Sequence, residues 1–208
     1  MEKLSTEFQK ARRHLSRKDL VLKNLITRVG PCTLQVSTDH FSLLVRAIVS
    51  QQISTRAAAA ISGRLLDLLK PGSLTPQAVL RCSDDELRGV GLSAAKTRYL
   101  RDLAEKVDNR TVPLRHVSRL DDDEIIAALT QVHGIGVWTA QMFLIFSLGR
   151  LDVLPVDDFG LRAGVQQEYL LKDLPRKKDL TELAAPWQPY RSIATWYFWR
   201  SRGPVPQS

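Results

Sequence analysis

Residues 129–140 read LTQVHGIGVWTA. A helical pattern reaches Gln131, Val132-His133-Gly134-Ile135-Gly136 interrupts it for only a few residues, and a second helical pattern starts at once with Val137 and runs to Leu148. The segment predicts helix, tight hairpin, helix. Gly134 and Gly136 lack a Cβ, so they permit positive φ and allow a phosphate close to the backbone. Backbone N–H groups at the hairpin, with the positive end of the following helix, then form an anion site that reads no sequence. A helix C-cap also leaves a lone G-x-G behind. Apolar Ile135 between the glycines, with Thr139-Ala140 packing behind them, makes the pattern more specific.

The flanking sequence is helical in the same sense. Leu4, Phe8, Ala11 and Leu15 share one face, and Leu22, Leu25, Ile26 and Val29 another before a stop at Gly30-Pro31. A helix is expected from about Asp39 through Phe41, Leu44, Val45 and Ile48, with a break at Ser50-Gln51-Gln52-Ile53-Ser54. An alanine-rich helix follows to about Leu69, ended by Pro71-Gly72. Ser83 with Glu86 forms a capping box, Ser93 opens a helix to about Val107, and Asp121, Asp122 and Asp123 suit the positive first turn of the next. After the loop from Gly149 to Pro155, Asp157-Asp158 leads into a helix near Phe159, and the final helix spans Ser192 to Arg200. No stretch alternates as a strand, so the expected class is all-α.

Net charge is +8 on 208 residues, which favours an anionic polymer as partner. The excess sits at the ends: residues 1–37 carry eight Lys/Arg against three acids, and residues 176–208 six against two. Solubilising tails would show the same bias. Cys32 and Cys82 are too few for a disulfide framework or a four-cysteine zinc or iron–sulfur site, and both are expected to be reduced and buried. His14, His40, His116 and His133 are scattered and form no metal constellation. The charged N-terminus does not read as a secretory signal, and the most apolar stretch, Trp138 to Leu148, is shorter than the roughly 20 residues a bilayer span requires. No membrane association is expected, and the location would be intracellular: cytoplasmic with the nucleoid in a bacterium, nuclear in a eukaryote.

Four blocks occur in order: FSLLVRAIVSQQIS (Phe41 to Ser54), GLSAAKTRYL (Gly91 to Leu100), LTQVHGIGVWTAQMF with LPVDDFGLR (Leu129 to Phe143, Leu154 to Arg162), and WQPYRSIATWYFW (Trp187 to Trp199). Over about residues 10–202 they resemble the helix-hairpin-helix, Gly/Pro-loop, Asp superfamily of base excision enzymes, and within it the 3-methyladenine DNA glycosylase II branch. The resemblance implies two helical subdomains flanking a DNA-binding cleft, without the β-rich N-terminal domain of longer bacterial members. Residues 1–37 with 137–208 would form a terminal subdomain carrying the catalytic aspartate, and residues 38–136 a central one ending in the hairpin. It further implies a monomer acting on double-stranded DNA that contains damaged bases. No cofactor would be required and no iron–sulfur cluster present; a monovalent cation, Na+ or K+, would sit at the carbonyls of Thr130, Val132 and Ile135.

Asp157 and Asp158 both stand where a carboxylate caps a helix, and either would satisfy that structural role. The resemblance places the essential aspartate on Asp158, with Asp157 beside it. A fixed anion there stabilises the positive charge that builds on the sugar as the base leaves, or orients the attacking water. Trp138 occupies the position where superfamily members that also cut the backbone carry a Schiff-base lysine, which implies a monofunctional enzyme that uses water. Trp138, Met142 and Trp199, with Asp157, would line a base pocket, although core packing accounts for most tryptophans in helical proteins and is the reading for Trp196, Tyr197 and Phe198. An alkylated, cationic base stacks on an indole more strongly than a normal base, by about 0.5 to 2 kcal/mol.

By the same resemblance Gln52 is the wedge pushed into the gap left by the flipped base, Gln51 supports it, and Ser54 caps the next helix. His133, Gly134, Ile135, Gly136 and Thr139 make up the phosphate-binding hairpin. Lys96 and Arg98 either touch phosphate or lie on a solvated helix face, and Arg191 anchors the last helix. The alternative to an enzyme is a noncatalytic helix-hairpin-helix protein that binds damaged or distorted DNA and keeps the hairpin and wedge without turnover.

Overall fold

The computed structural model describes residues 2–203, and every regular element in them is helical. The first amphipathic run, α1 (Glu2–Lys18), stops at Asp19, whose carboxylate accepts the Leu22 N–H at 3.0 Å to start α2 (Leu20–Val29). Gly30, at φ +88°, closes α2. Asp39 caps α3 (His40–Ser50), Ser54 caps α4 (Thr55–Leu68) and Ser93 caps α7 (Ala94–Asp108). Between α4 and α7 lie α5 (Pro76–Arg81) and α6 (Asp84–Gly89); α6 carries the expected Ser83–Glu86 box. The short α5 follows no apolar periodicity long enough to read, yet Thr75 caps it and Pro76 occupies its first turn. The acidic run forms a second capping box, in which Asp121 and Glu124 cap reciprocally, opening α8 (Asp122–Leu129). Then come α9 (Val137–Phe146), α10 (Phe159–Glu168), α11 (Lys177–Leu183) and α12 (Arg191–Ser201). Two predicted helix ends shorten: α8 gives way to turns before Gln131, and α9 ends at Phe146 rather than Leu148, ahead of Gly149 at φ +64°.

Packing divides the described residues into a terminal unit, residues 2–36 and 144–203, and a central unit, Ser37–Phe143. The sequence reading put the second crossing after Gly136; the packing puts it inside α9, so Val137 to Phe143 belong with the hairpin. No helix among the described residues is long and apolar enough to cross a membrane.

In the terminal unit, Leu15, Leu22, Leu25, Trp187, Ile193, Tyr197 and Phe198 are sealed from solvent. Trp196, Tyr197 and Phe198 are thus core residues. Burial pushes the Tyr169 and Tyr197 phenols well up, so both are hydrogen-bond donors: Tyr197 to the Gly30 carbonyl at 2.9 Å, Tyr169 to Asp19. Asp19 also accepts the Trp187 indole N–H at 2.9 Å, which ties the start of α2 to the segment before α12. Arg191 anchors α12 through its guanidinium, which grips both Asp152 oxygens at 2.8 and 2.9 Å. Cys32 is buried, and desolvation raises its thiol to about 12; Cys82 is half-buried rather than buried as expected.

In the central unit the core gathers Leu44, Ile48, Leu65, Leu87, Leu100, Leu103, Ile125 and Phe143, with His40 edge-on to the Phe143 ring at 5.6 Å. Lys96 is half-buried rather than on a fully solvated helix face. Its ammonium is drawn under α3, where it donates to the Val49 carbonyl at 2.7 Å, and burial lowers its pKa from the ordinary lysine value. A cation at a helix C-terminus satisfies a carbonyl that the helix cannot. Arg98 is exposed.

α10 and α12 approach so closely at Gly164 that an added Cβ would lie 2.6 Å from the Phe198 carbonyl oxygen. Backbone cannot yield as a side chain end can, so Gly164→Ala is expected to cost about 1–3 kcal/mol in urea unfolding. A variant as stable as the parent would mean that the two helices are not held at this separation.

Candidate functional site

The central unit builds the hairpin from one strict glycine and one open one. Gly134 has φ +82°, and a Cβ there would sit 2.3 Å from the Tyr99 ring on α7. Gly136 departs from expectation: it does not adopt positive φ, and nothing lies within 4 Å of an added Cβ. Its carbonyl accepts the Ala140 N–H at 3.0 Å, so α9 begins there and its first turn presents N–H groups that the helix itself does not pair. Ile135 is buried and donates to the Val132 carbonyl at 3.0 Å; Thr139 and Ala140 are buried behind it.

Asp102, on α7, fastens the hairpin and went unread in the sequence. One of its oxygens accepts the His133 backbone N–H at 2.7 Å and stands 3.0 Å from His133 Nδ1; the other meets the Lys106 ammonium at 2.5 Å. Burial pushes this carboxyl up, but the hydrogen bonds from Lys106 and His133 outweigh it and hold it below the usual carboxylate range. The Asp102–Lys106 spacing on a helix was a legible i,i+4 pair, whereas its bond to residue 133 was not.

The loop between α3 and α4 contributes Gln51 and Gln52. Gln51 donates from Nε2 to the Gly134 carbonyl at 2.8 Å, so it holds the loop against the hairpin within this unit. Gln52 is exposed at φ +56°, a conformation that non-glycine residues seldom adopt and that marks a constrained position. Ser54 accepts the Ala57 N–H at 3.2 Å, as expected. On α9, Trp138 and Met142 lie one turn apart; Trp138 is 47% exposed, uncommon for its size, and Met142 is half-buried.

The terminal unit holds the aspartates, and it treats them differently. Asp158 caps α10 and is only 8% exposed; its Oδ1 accepts the Leu161 N–H at 2.6 Å and the Trp199 indole N–H at 2.8 Å. Asp157 is exposed and pairs with Lys177 at 2.6 Å, and it does not cap the helix. Trp199 stacks on Phe146, with centroids 5.6 Å apart and 14° between planes. Phe146, Gly160 and Lys177 carried no signal in the sequence that set them apart from ordinary core and surface residues. Among the described residues no group of three or more His, Cys, Asp or Glu could hold a metal ion.

The Asp102 clamp depends on ionisation. A carboxyl held low in the folded state contributes stability that is complete above the ordinary carboxylate range and is lost as acid protonates it below that range. Asp102→Asn should therefore loosen the hairpin at neutral pH, faster amide exchange at His133 being the measurement, whereas the parent should show that loosening only in acid. Equal protection in the two proteins at pH 7 would remove Asp102 from this role.

The model of the HhH-GPD superfamily base excision DNA repair protein matches residues 45–189. DNA-3-methyladenine glycosylase 1 of Schizosaccharomyces pombe is 35% identical over 205 residues, covering 96% of this chain and 90% of its own. A solved structure of a 3-methyladenine DNA glycosylase from Schizosaccharomyces pombe in complex with abasic DNA superposes with a TM-score of 0.81 at 35% identity, over 92% of this chain and 96% of that one. A DNA-3-methyladenine glycosidase from Bacillus halodurans superposes with a TM-score of 0.86 at 36% identity, over 93% and 89% of the two chains. Match length, identity and superposition agree, and the chain belongs to the HhH-GPD superfamily of base excision DNA repair proteins.

Proposed function

We propose that the chain is a monofunctional DNA glycosylase that turns an alkylated purine, of the 3-methyladenine or 7-methylguanine type, out of the duplex and hydrolyses its bond to deoxyribose. The observation that carries this reading is the Asp158 carboxylate, nearly buried at the tip of α10 with two N–H donors on one oxygen. A carboxylate so placed is an anion in a poorly hydrated setting, where its field on a nearby cation is far stronger than in water.

The chemistry asks little more of the protein. A purine alkylated on a ring nitrogen is already positively charged, so when the C1′–N bond breaks and its electron pair goes to the base, the base leaves neutral and needs no proton donor. Positive charge develops on the sugar instead, and Asp158 stabilises it. Water adds at C1′, loses a proton to solvent and leaves an abasic site. Trp138 carries no amine that could replace water as the nucleophile, so no Schiff base forms and the strand stays intact. Its exposed indole offers a π-face that favours a cationic base over a normal one by about 0.5 to 2 kcal/mol.

In the central unit, the hairpin N–H groups of Gly134 and Gly136 and the first turn of α9 hold a phosphate without reading sequence. Gln52 fills the gap left by the flipped base, and Gln51 braces it. The carbonyl oxygens of Thr130, Val132 and Ile135 are neutral donors suited to a monovalent cation rather than a divalent one, and such an ion would stiffen the hairpin.

Asp158→Asn is expected to abolish release of bases from methylated DNA while leaving affinity for abasic-site DNA within a few-fold; full release by this variant would sink the enzymatic reading, and binding without release by the parent would favour the noncatalytic alternative. Gln52→Ala should weaken binding to damaged duplex more than activity on a damaged single strand, and equal losses on the two substrates would remove the wedge. Borohydride should trap no covalent protein–DNA adduct; a trapped adduct would make the enzyme bifunctional.

A further inference from the structure

An N-cap carboxylate held only by its backbone contact retains freedom to swing about its last torsion. Asp158 has a second constraint. The Trp199 indole N–H reaches Oδ1 at 2.8 Å, the same oxygen that accepts the Leu161 N–H at 2.6 Å. Asp19, an N-cap with a structural role, is also held by more than its backbone contact, with Leu22 on Oδ1 and Trp187 and Tyr169 on Oδ2.

The indole that makes this second contact is itself fixed. One face stacks on Phe146. Its edge passes residue 160, where an added Cβ would stand 3.1 Å from both Asp158 Oδ1 and Trp199 Cδ1 and 3.3 Å from Nε1, so glycine there gives the indole clearance. Both donors belong to helices, Leu161 to the first turn of α10 and Trp199 to α12. Two fixed donors converging on one oxygen set the plane of the carboxylate before any nucleotide arrives. Misplacing a reacting group by 1 Å costs a rate on the order of a hundredfold, so orientation of this kind matters to the chemical step.

We propose that Trp199 is a positioning residue whose indole N–H fixes the orientation of the Asp158 carboxylate, a role separate from any contact its ring makes with the base. This rests on the reading of Asp158 as the carboxylate that acts on the sugar.

The test replaces Trp199 by its benzothienyl analogue, which keeps the fused ring and its stacking but has sulfur in place of N–H, alongside Trp199→Phe. Single-turnover base release at saturating enzyme should fall about ten- to a hundredfold in the analogue, with affinity for abasic-site DNA within a few-fold and the melting temperature nearly unchanged. Unchanged release by the analogue overturns the proposal, as does a parallel loss of release and abasic-DNA affinity, which would assign Trp199 to the ring contact alone. A readout independent of activity is the Trp199 indole N–H resonance in Asp158→Ser, which keeps a helix cap but withdraws the carboxylate. The resonance should move and exchange faster; one that does not respond overturns the contact. Failure of the parent to release any base would sink the proposed function, and the resonance would still report on the bond.

Discussion

A carboxylate accepting backbone N–H groups at the start of a helix is the interaction on which this protein is built. Asp19, Asp39, Asp121 and Asp158 each open a helix in this way, at distances from 2.6 to 3.1 Å. The contact satisfies donors that a helix cannot pair internally and sets a negative charge against the positive end of the helix dipole. At Asp19 the carboxylate also joins Trp187 and Tyr169, and the result is purely architectural. At Asp158 the same contact would do two things under the proposed function, because the cap that starts α10 is also the anion assigned there to glycosidic cleavage. Stability and chemistry are therefore not independent at this residue: the N–H groups that hold the helix start also keep the charge in place.

The hairpin has a different physical basis, which is backbone conformation. Gly134 must take positive φ, and the Tyr99 ring occupies the space a side chain would need. Asp102 pins His133 from one side and Gln51 holds the Gly134 carbonyl from the other. A hairpin fastened from α7 and from the α3–α4 loop would have little left to order if it received a phosphate, as the proposed function has it. Since the α3–α4 loop and the hairpin share the Gln51 contact, bracing one braces the other.

The sparseness of the site follows from the leaving group. Under the proposed function a cationic base would depart without a proton donor, so one anion, one water and an aromatic face would suffice, and selectivity would come as much from the weakened bond as from recognition. The basic excess at both chain ends would, under the same reading, supply attraction to the duplex without specificity.

The sequence by itself determined the longer helices, though not the short α5 and α11, because apolar spacing, caps and glycine stops are local. Ser83–Glu86, Ser54 and the hairpin at Gly134 were all legible, and so was the candidate aspartate, since the ordered blocks around LPVDDFGLR resemble one family. Tertiary structure decided what local pattern cannot carry. It separated Asp157, paired outward with Lys177, from Asp158, buried on Trp199, although both are equally good caps on paper. It drew Lys96 beneath α3, brought Asp102 to a residue 31 positions away, and moved the division between units into α9. A periodicity reports which face of an element is apolar, but which partner that face or a charged end will meet depends on contacts between residues remote in the chain, and these exist only once it has folded.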